Sequence, residues 1–171
     1  MKKVSGLTSF CAIFNLELII KNNLKIRNFM CVGGMGHAIS IANGIAINKK
    51  TKVFCFDGDG SITMHLGSLA TSSKQNNLVH VIFNNLSHES VGGHDNSAKH
   101  VKFFKFSKEI GYNKNYFCKS KSDIKKSIMK SLKNKQSSFI EIIIQKGHRK
   151  NISRPKEKML TLKNKFLTSI N

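Results

Sequence analysis

Apolar residues along the chain fall into short unbroken runs and helically spaced stripes. Lys52–Phe56 (KVFCF), Val79–Phe83 (VHVIF) and Phe139–Ile144 (FIEIII) are short runs flanked by polar or glycine positions, the pattern of strands buried on both faces. Gly36–Ile47 (GHAISIANGIAI) joins small residues to an apolar stripe and predicts a helix packed closely on a flat surface. Met64, Leu66, Leu69 and Ala70 predict a helix over Ile62–Lys74, and Val101–Ile110 predicts another. Ser122 is the expected cap of a helix reaching Asn134, with Ile124, Ile128 and Leu132 four apart on one face. A last helix is expected near Glu157–Ile170, and polar, glycine-bearing Asn85–Ala98 reads as a loop. Strands alternating with helices predict an α/β fold: a parallel β-sheet with helices on both faces, formed as a single domain over residues 1–171.

Composition narrows the class. A 40% hydrophobic content fits a globular chain. No run approaches a membrane span, so no membrane partner is expected. The opening MKKVSGLTSFCAIFNLELII has lysines before an apolar stretch, but Asn15 and Glu17 interrupt it and no small-residue cleavage site follows; a cytoplasmic location is expected. Net charge is +20, yet only Arg27, Arg149 and Arg154 among the 29 basic residues are arginine. Base readout and phosphate forks favour arginine, so no nucleic-acid partner is expected and the lysines read as compositional bias. Cys11, Cys31, Cys55 and Cys118 have neither C-x-x-C nor other regular spacing; they indicate neither a disulfide framework nor a zinc site, and read as reduced core thiols.

The candidate chemistry lies at two strand ends. Gly58-Asp59-Gly60-Ser61 follows the first run and Asn84-Asn85 ends the second. Singly, each is an ordinary turn signal. In a parallel sheet, however, ligands bind at the carboxyl ends of strands, and right-handed crossovers set consecutive ends side by side. An Asp and an Asn converging there supply hard oxygens suited to Mg²⁺, which completes its shell with phosphate oxygens and water. Gly58 and Gly60 admit close backbone approach. Gly60-Ser61 opens the next helix, whose free amides favour a diphosphate.

These residues resemble the cofactor signature of thiamine diphosphate enzymes. Gly33-Gly34-Met35-Gly36-His37-Ala38 is similar to the G-S-M-G-H-A stretch of phosphonopyruvate decarboxylases. Met64–Ala70 (MHLGSLA), Asn84–Gly93 (NNLSHESVGG), Lys146–Arg149 (KGHR) and Ser153-Arg154-Pro155 resemble the same subgroup. Sulfopyruvate decarboxylases are close relatives of it. The resemblance runs from about Gly6 through nearly the whole chain.

The resemblance implies Mg²⁺ ligation by the side chains of Asp59 and Asn85 and the carbonyl of Ser87, with Gly58, Gly60 and Ser61 at the diphosphate. It implies that Gly33, Gly34 and Met35 face the aminopyrimidine, Met35 wedging between the cofactor rings. The implied activity is non-oxidative decarboxylation of a 2-oxo acid, foremost 3-phosphonopyruvate to phosphonoacetaldehyde and CO₂ in phosphonate biosynthesis. Sulfopyruvate is the alternative substrate, and a cofactor-binding fragment without catalysis is a further alternative. His88 is a candidate proton relay or substrate contact; Glu89 is a candidate for binding substrate or holding His88. Arg149 and Arg154 are candidates for a tetrahedral anion. The chain departs from the subgroup at Glu89 (usually Asp), at Leu86 (usually Gly) and at His94-Asp95-Asn96 (usually Gln-Pro-Thr).

The family's activating glutamate sits on a separate pyrimidine-binding domain, which these 171 residues are too few to include. The expectation is a diphosphate-binding half that works with a partner subunit in a hetero- or homo-oligomer. The family's first strand would precede Gly6, so the N-terminal strand is expected to be truncated.

Overall fold

A computed structural model describes residues 8–11, 27–147 and 157–170. The expected truncation before Gly6 lies outside them, as do Arg149 and Arg154. The strands are β1 (Thr8–Cys11), β2 (Arg27–Met30), β3 (Val53–Gly58), β4 (Leu78–Asn84), β5 (Ser87–His88), β6 (His94–Asp95), β7 (Lys114–Cys118) and β8 (Ser138–Ile143). The helices are α1 (Ala38–Asn48), α2 (Asp59–Met64), α3 (Gly67–Ser72), α4 (Phe103–Glu109), α5 (Lys121–Lys133) and α6 (Met159–Ile170).

Six strands form one sheet in the order β2-β1-β3-β4-β8-β7, and every pairing in it is parallel. The expected strand runs are β3, β4 and β8, adjacent at the sheet centre, where both faces are covered. On one face, Ala38, Ile39, Ala42 and Ala46 of α1 pack against Val53, Cys55 and Leu78, and Phe166 of α6 joins them. The small side chains let α1 lie close to the strands, as its composition predicts. Beyond it, Ile62, Leu69, Phe103 and Tyr112 close over Ile82 and Phe139. On the other face, Ile124, Ile128 and Leu132 of α5 cover Val79, Val81, Ile140 and Ile142.

Three local expectations are corrected. The helix expected over Ile62–Lys74 is two, α2 and α3, because His65 leaves helical geometry (φ −141, ψ 53); of its stripe, Leu69 is buried while Met64 is exposed. α5 is capped by Ser120, not Ser122. The Ser120 hydroxyl accepts from the Asp123 amide at 3.1 Å and Asp123 Oδ2 from the Ser120 amide at 3.0 Å, a reciprocal box that Ser122, inside the first turn, has no partner to make. The loop after β4 contains a short antiparallel ladder, with Ser87 opposite Asp95 and His88 opposite His94. Besides these, the strands β1, β2 and β7 are not announced by an apolar run; β7 (KNYFC) is a half-polar strand that among the described residues pairs only with β8.

Among the described residues, no helix is long and apolar enough to cross a membrane.

Candidate active site

β3 and β4 run in register from Val53 opposite Leu78 to Gly58 opposite Phe83. Their carboxyl ends therefore stop at the same level, and the chain turns into α2 on one side and into the β5–β6 loop on the other. Asp59 is the first residue of α2 and is 2% exposed. Its Oδ2 accepts from the Leu86 amide at 2.7 Å and from Asn96 Nδ2 at 3.1 Å. The Leu86 amide lies between Asn85 and Ser87, so this carboxylate is held against the segment containing the other two expected metal ligands. Asn85 Oδ1 accepts from the Ser87 amide at 3.1 Å, a tight turn that brings the Asn85 side chain and the Ser87 backbone together.

Burial pushes the Asp59 carboxyl above the usual carboxylate range, while hydrogen bonds from Asn96 and from the Gly60 and Leu86 amides hold it down. Among the described residues no Lys or Arg pairs with it. A buried carboxylate without a counter-charge is a place for a cation. The Ser87 hydroxyl and His88 Nδ1 are buried beside it without hydrogen-bond partners. Among the described residues this cluster is rich in oxygen and holds no basic side chain paired with Asp59, which fits a Mg²⁺–diphosphate group.

At Gly60 backbone and ring approach closely. A Cβ there would stand 2.4 Å from His88 Nδ1 and 3.0 Å from Asn96 Nδ2, so the His88 imidazole lies directly on the turn. The Gly33–Gly36 segment joins from the side of β2 and α1. The Gly36 amide donates to Ser61 Oγ at 2.9 Å, and Cys31 Sγ donates to the Gly34 carbonyl at 3.1 Å. Gly33 is exposed and Met35 half-buried. The expected diphosphate and pyrimidine residues thus share one latch. Glu89 Oε1 accepts from the Gly147 amide at 2.8 Å. Together with the Lys146–Asp95 ion pair, this clasps the His88 loop to the segment after β8.

Two supporting residues were not legible in the sequence. Asn96, within the stretch that departs from the resembled subgroup, is the side-chain donor to Asp59. Glu141, a buried carboxylate in the apolar run of β8, accepts from Asn84 Nδ2 at 2.8 Å and from the Phe104 amide at 2.9 Å, bracing the strand end that leads into Asn85. Burial pushes the Glu141 carboxyl up, against the pull of these two hydrogen bonds. A charged residue inside FIEIII was the one available signal.

Leu86 adopts φ +58, the left-handed region where the resembled subgroup has glycine. That conformation costs a branched side chain roughly 1–2 kcal/mol. Leu86→Gly removes the strain but adds about 0.4–1 kcal/mol of unfolded-state entropy. A net stabilisation of about 0.5 kcal/mol is expected, and with it a rise in Tm of roughly 1–2 °C. A fall in Tm would show that the exposed Leu86 side chain makes compensating contacts.

Residues 16–142 match the family described as thiamine pyrophosphate enzyme, C-terminal TPP binding domain. The chain is 32% identical over 132 residues to a phosphonopyruvate decarboxylase of Streptomyces viridochromogenes, covering 76% of this chain and 33% of that protein. It is 34% identical over 95 residues to a sulfopyruvate decarboxylase subunit beta of Methanococcus maripaludis, covering 54% of this chain and 51% of that one. Its fold is similar to the crystal structure of benzoylformate decarboxylase from Polynucleobacter necessarius, with a TM-score of 0.67 at 18% identity over 86% of this chain and 32% of that chain. The chain thus spans a third to a half of the length of these relatives.

Proposed function

The chain belongs to the thiamine pyrophosphate enzyme family, as a C-terminal TPP binding domain, and from that premise we propose that it serves in the non-oxidative decarboxylation of a 2-oxo acid, foremost 3-phosphonopyruvate. The observation that carries the reading is the buried Asp59 carboxylate, joined to the Asn85–Ser87 turn through the Leu86 amide. In this reading Asp59, Asn85 and the Ser87 carbonyl hold Mg²⁺, while Gly58, Gly60 and Ser61 take the diphosphate. Gly33, Gly34 and Met35 form the wall against the aminopyrimidine. When bound, thiamine diphosphate supplies the electron sink that lets a 2-oxo acid lose CO₂.

The chain's own residues position and screen the reaction. His88, whose Nδ1 faces the Gly60 turn, holds or delivers a proton at that nitrogen. Glu89, through Gly147, fixes the loop that carries His88. Arg149 and Arg154 follow that clasp in sequence and are proposed to receive the substrate's tetrahedral anion. The activating glutamate is proposed to come from a pyrimidine-binding half outside these 171 residues, in a partner subunit.

A second reading takes 3-sulfopyruvate as substrate. The similarity to a relative named as a subunit beta, over half of that protein's length, favours it. Titration of the full chain with thiamine diphosphate and Mg²⁺ tests the cofactor site, and turnover tests the rest. With a pyrimidine-binding subunit present, CO₂ release from 3-phosphonopyruvate is expected to exceed that from 3-sulfopyruvate. The reverse order selects the second reading, and turnover by the chain alone would refute the need for a partner.

A further inference from the structure

Beneath the turn that carries Asp59, three side chains of different chemistry meet on one face of the sheet. Cys55 and Asp57 are two apart on β3 and so project to the same side. His80 is the register partner of Cys55 on β4. Each of the three is 0% exposed. One candidate ligand atom from each, the Cys55 sulfur, an Asp57 oxygen and a His80 ring nitrogen, lies within 4.8 Å of the other two.

The polar atoms here are incompletely satisfied. His80 Nε2 and Asp57 Oδ2 face each other at 3.7 Å, beyond hydrogen-bond length, and neither has a hydrogen-bond partner among the described residues. A buried donor or acceptor left unmatched is destabilising unless something else occupies the gap. The second polar atom of each group, by contrast, is held. Asp57 Oδ1 accepts from the Gly58 amide at 2.9 Å, and His80 Nδ1 lies 3.4 Å from the Tyr112 hydroxyl. Metal-binding imidazoles and carboxylates have this arrangement: one atom on the ion, the other fixed from outside.

We propose that Cys55, Asp57 and His80 form a zinc-type metal site, distinct from the Mg²⁺ site at Asp59. Thiolate, imidazole and carboxylate together suit zinc, whereas Mg²⁺ selects oxygen donors. On coordination the Cys55 thiol gives its proton to solvent. Its thiolate and the Asp57 carboxylate then balance the dication, so the filled site adds no net charge to the core. Zinc bonds of about 2.0–2.3 Å require the three donors to close in by roughly 1 Å, and leave one tetrahedral position for water. Because Asp57 directly precedes Gly58-Asp59, the ion would anchor the base of that turn. Sequence spacing gives no hint of the site, since Cys55 and His80 meet only through strand register.

The test uses the full chain, produced with zinc in the medium and purified without chelator. Mass-spectrometric metal analysis is expected to find about one tightly held zinc per chain. Cys55→Ser and His80→Asn should each lower the content at least tenfold, and Asp59→Asn should leave it unchanged. Cobalt exchanged into a chain whose Cys11, Cys31 and Cys118 are serine should give a sulfur-to-cobalt absorption band. This reading does not depend on Cys55→Ser or His80→Asn folding. A wild-type chain that retains no zinc and shows no such band overturns the proposal, as does zinc content unaltered by Cys55→Ser; His80 and Asp57 would then be an ordinary buried pair.

Discussion

Exchange of Asp59 for asparagine is expected to weaken magnesium-dependent binding of thiamine diphosphate at least about 100-fold, with the fold intact. Even partners outside the first coordination layer cost a metal site about 10–100-fold when removed, and a ligand carrying the only formal charge costs more. Asparagine keeps an oxygen that can accept from the Leu86 amide, now 2.7 Å from Asp59 Oδ2, so the turn persists while the charge is gone. Asp59→Ala goes further: it strands the Leu86 amide and the Asn96 amide group, adding a stability loss of about 1–3 kcal/mol. Calorimetric titration with thiamine diphosphate and Mg²⁺, paired with thermal unfolding, separates the two effects. An asparagine variant that titrates like the wild type would remove Asp59 from the metal site and take the proposed function with it.

The largest stability effect is expected from Gly36→Ala. Gly36 has φ +86, and a Cβ there would lie 2.4 Å from His65 Cδ2, 3.1 Å from Met64 Cβ and 3.2 Å from the Ser61 carbonyl oxygen. The left-handed backbone costs alanine about 1–2 kcal/mol, and the overpacking adds about 1–3 kcal/mol. A fall in Tm of roughly 5–15 °C follows for a chain of this size. The His65 ring is exposed, packed edge-on to His37 with centroids 4.5 Å apart, and can swing away; the Ser61 carbonyl belongs to the backbone of α2 and cannot. Gly36→Ala with His65→Ala should therefore recover only the ring's share. The single variant should also bind cofactor less tightly, because the strain falls on the 2.9 Å bond from the Gly36 amide to Ser61 Oγ. A Tm within a degree or so of wild type would mean that the Gly33–Gly36 segment is not latched to the Asp59 turn.

Much of the central sheet was legible because its strands are continuous apolar runs. β3, β4 and β8 lie within a residue or two of their expected limits at both ends, and their unbroken hydrophobicity implied burial on both faces. β7 was not legible. This strand is thinly covered, so its apolar residues do not mark buried positions: of its five residues only Cys118 is buried, while Phe117 is 43% exposed. The helix break at His65 leaves no mark in the sequence pattern, since apolar spacing reports which residues are covered and says little about backbone continuity. The N-cap moved from Ser122 to Ser120 because two serines compete there and only one has an acidic residue three positions on.

Residue order alone determined that an aspartate between glycines and an asparagine pair stand at the ends of neighbouring parallel strands, because strand runs and turn residues are local features. Only the tertiary structure decided how that aspartate is held. Its hydrogen bonds come from Leu86 and Asn96, the Gly33–Gly36 latch comes from α2, and Glu141 braces Asn84 from the next strand. Likewise, Cys55 faces His80 only through register. Such contacts join residues distant in sequence, and apolar periodicity records that a position is buried without recording which distant atom it will meet.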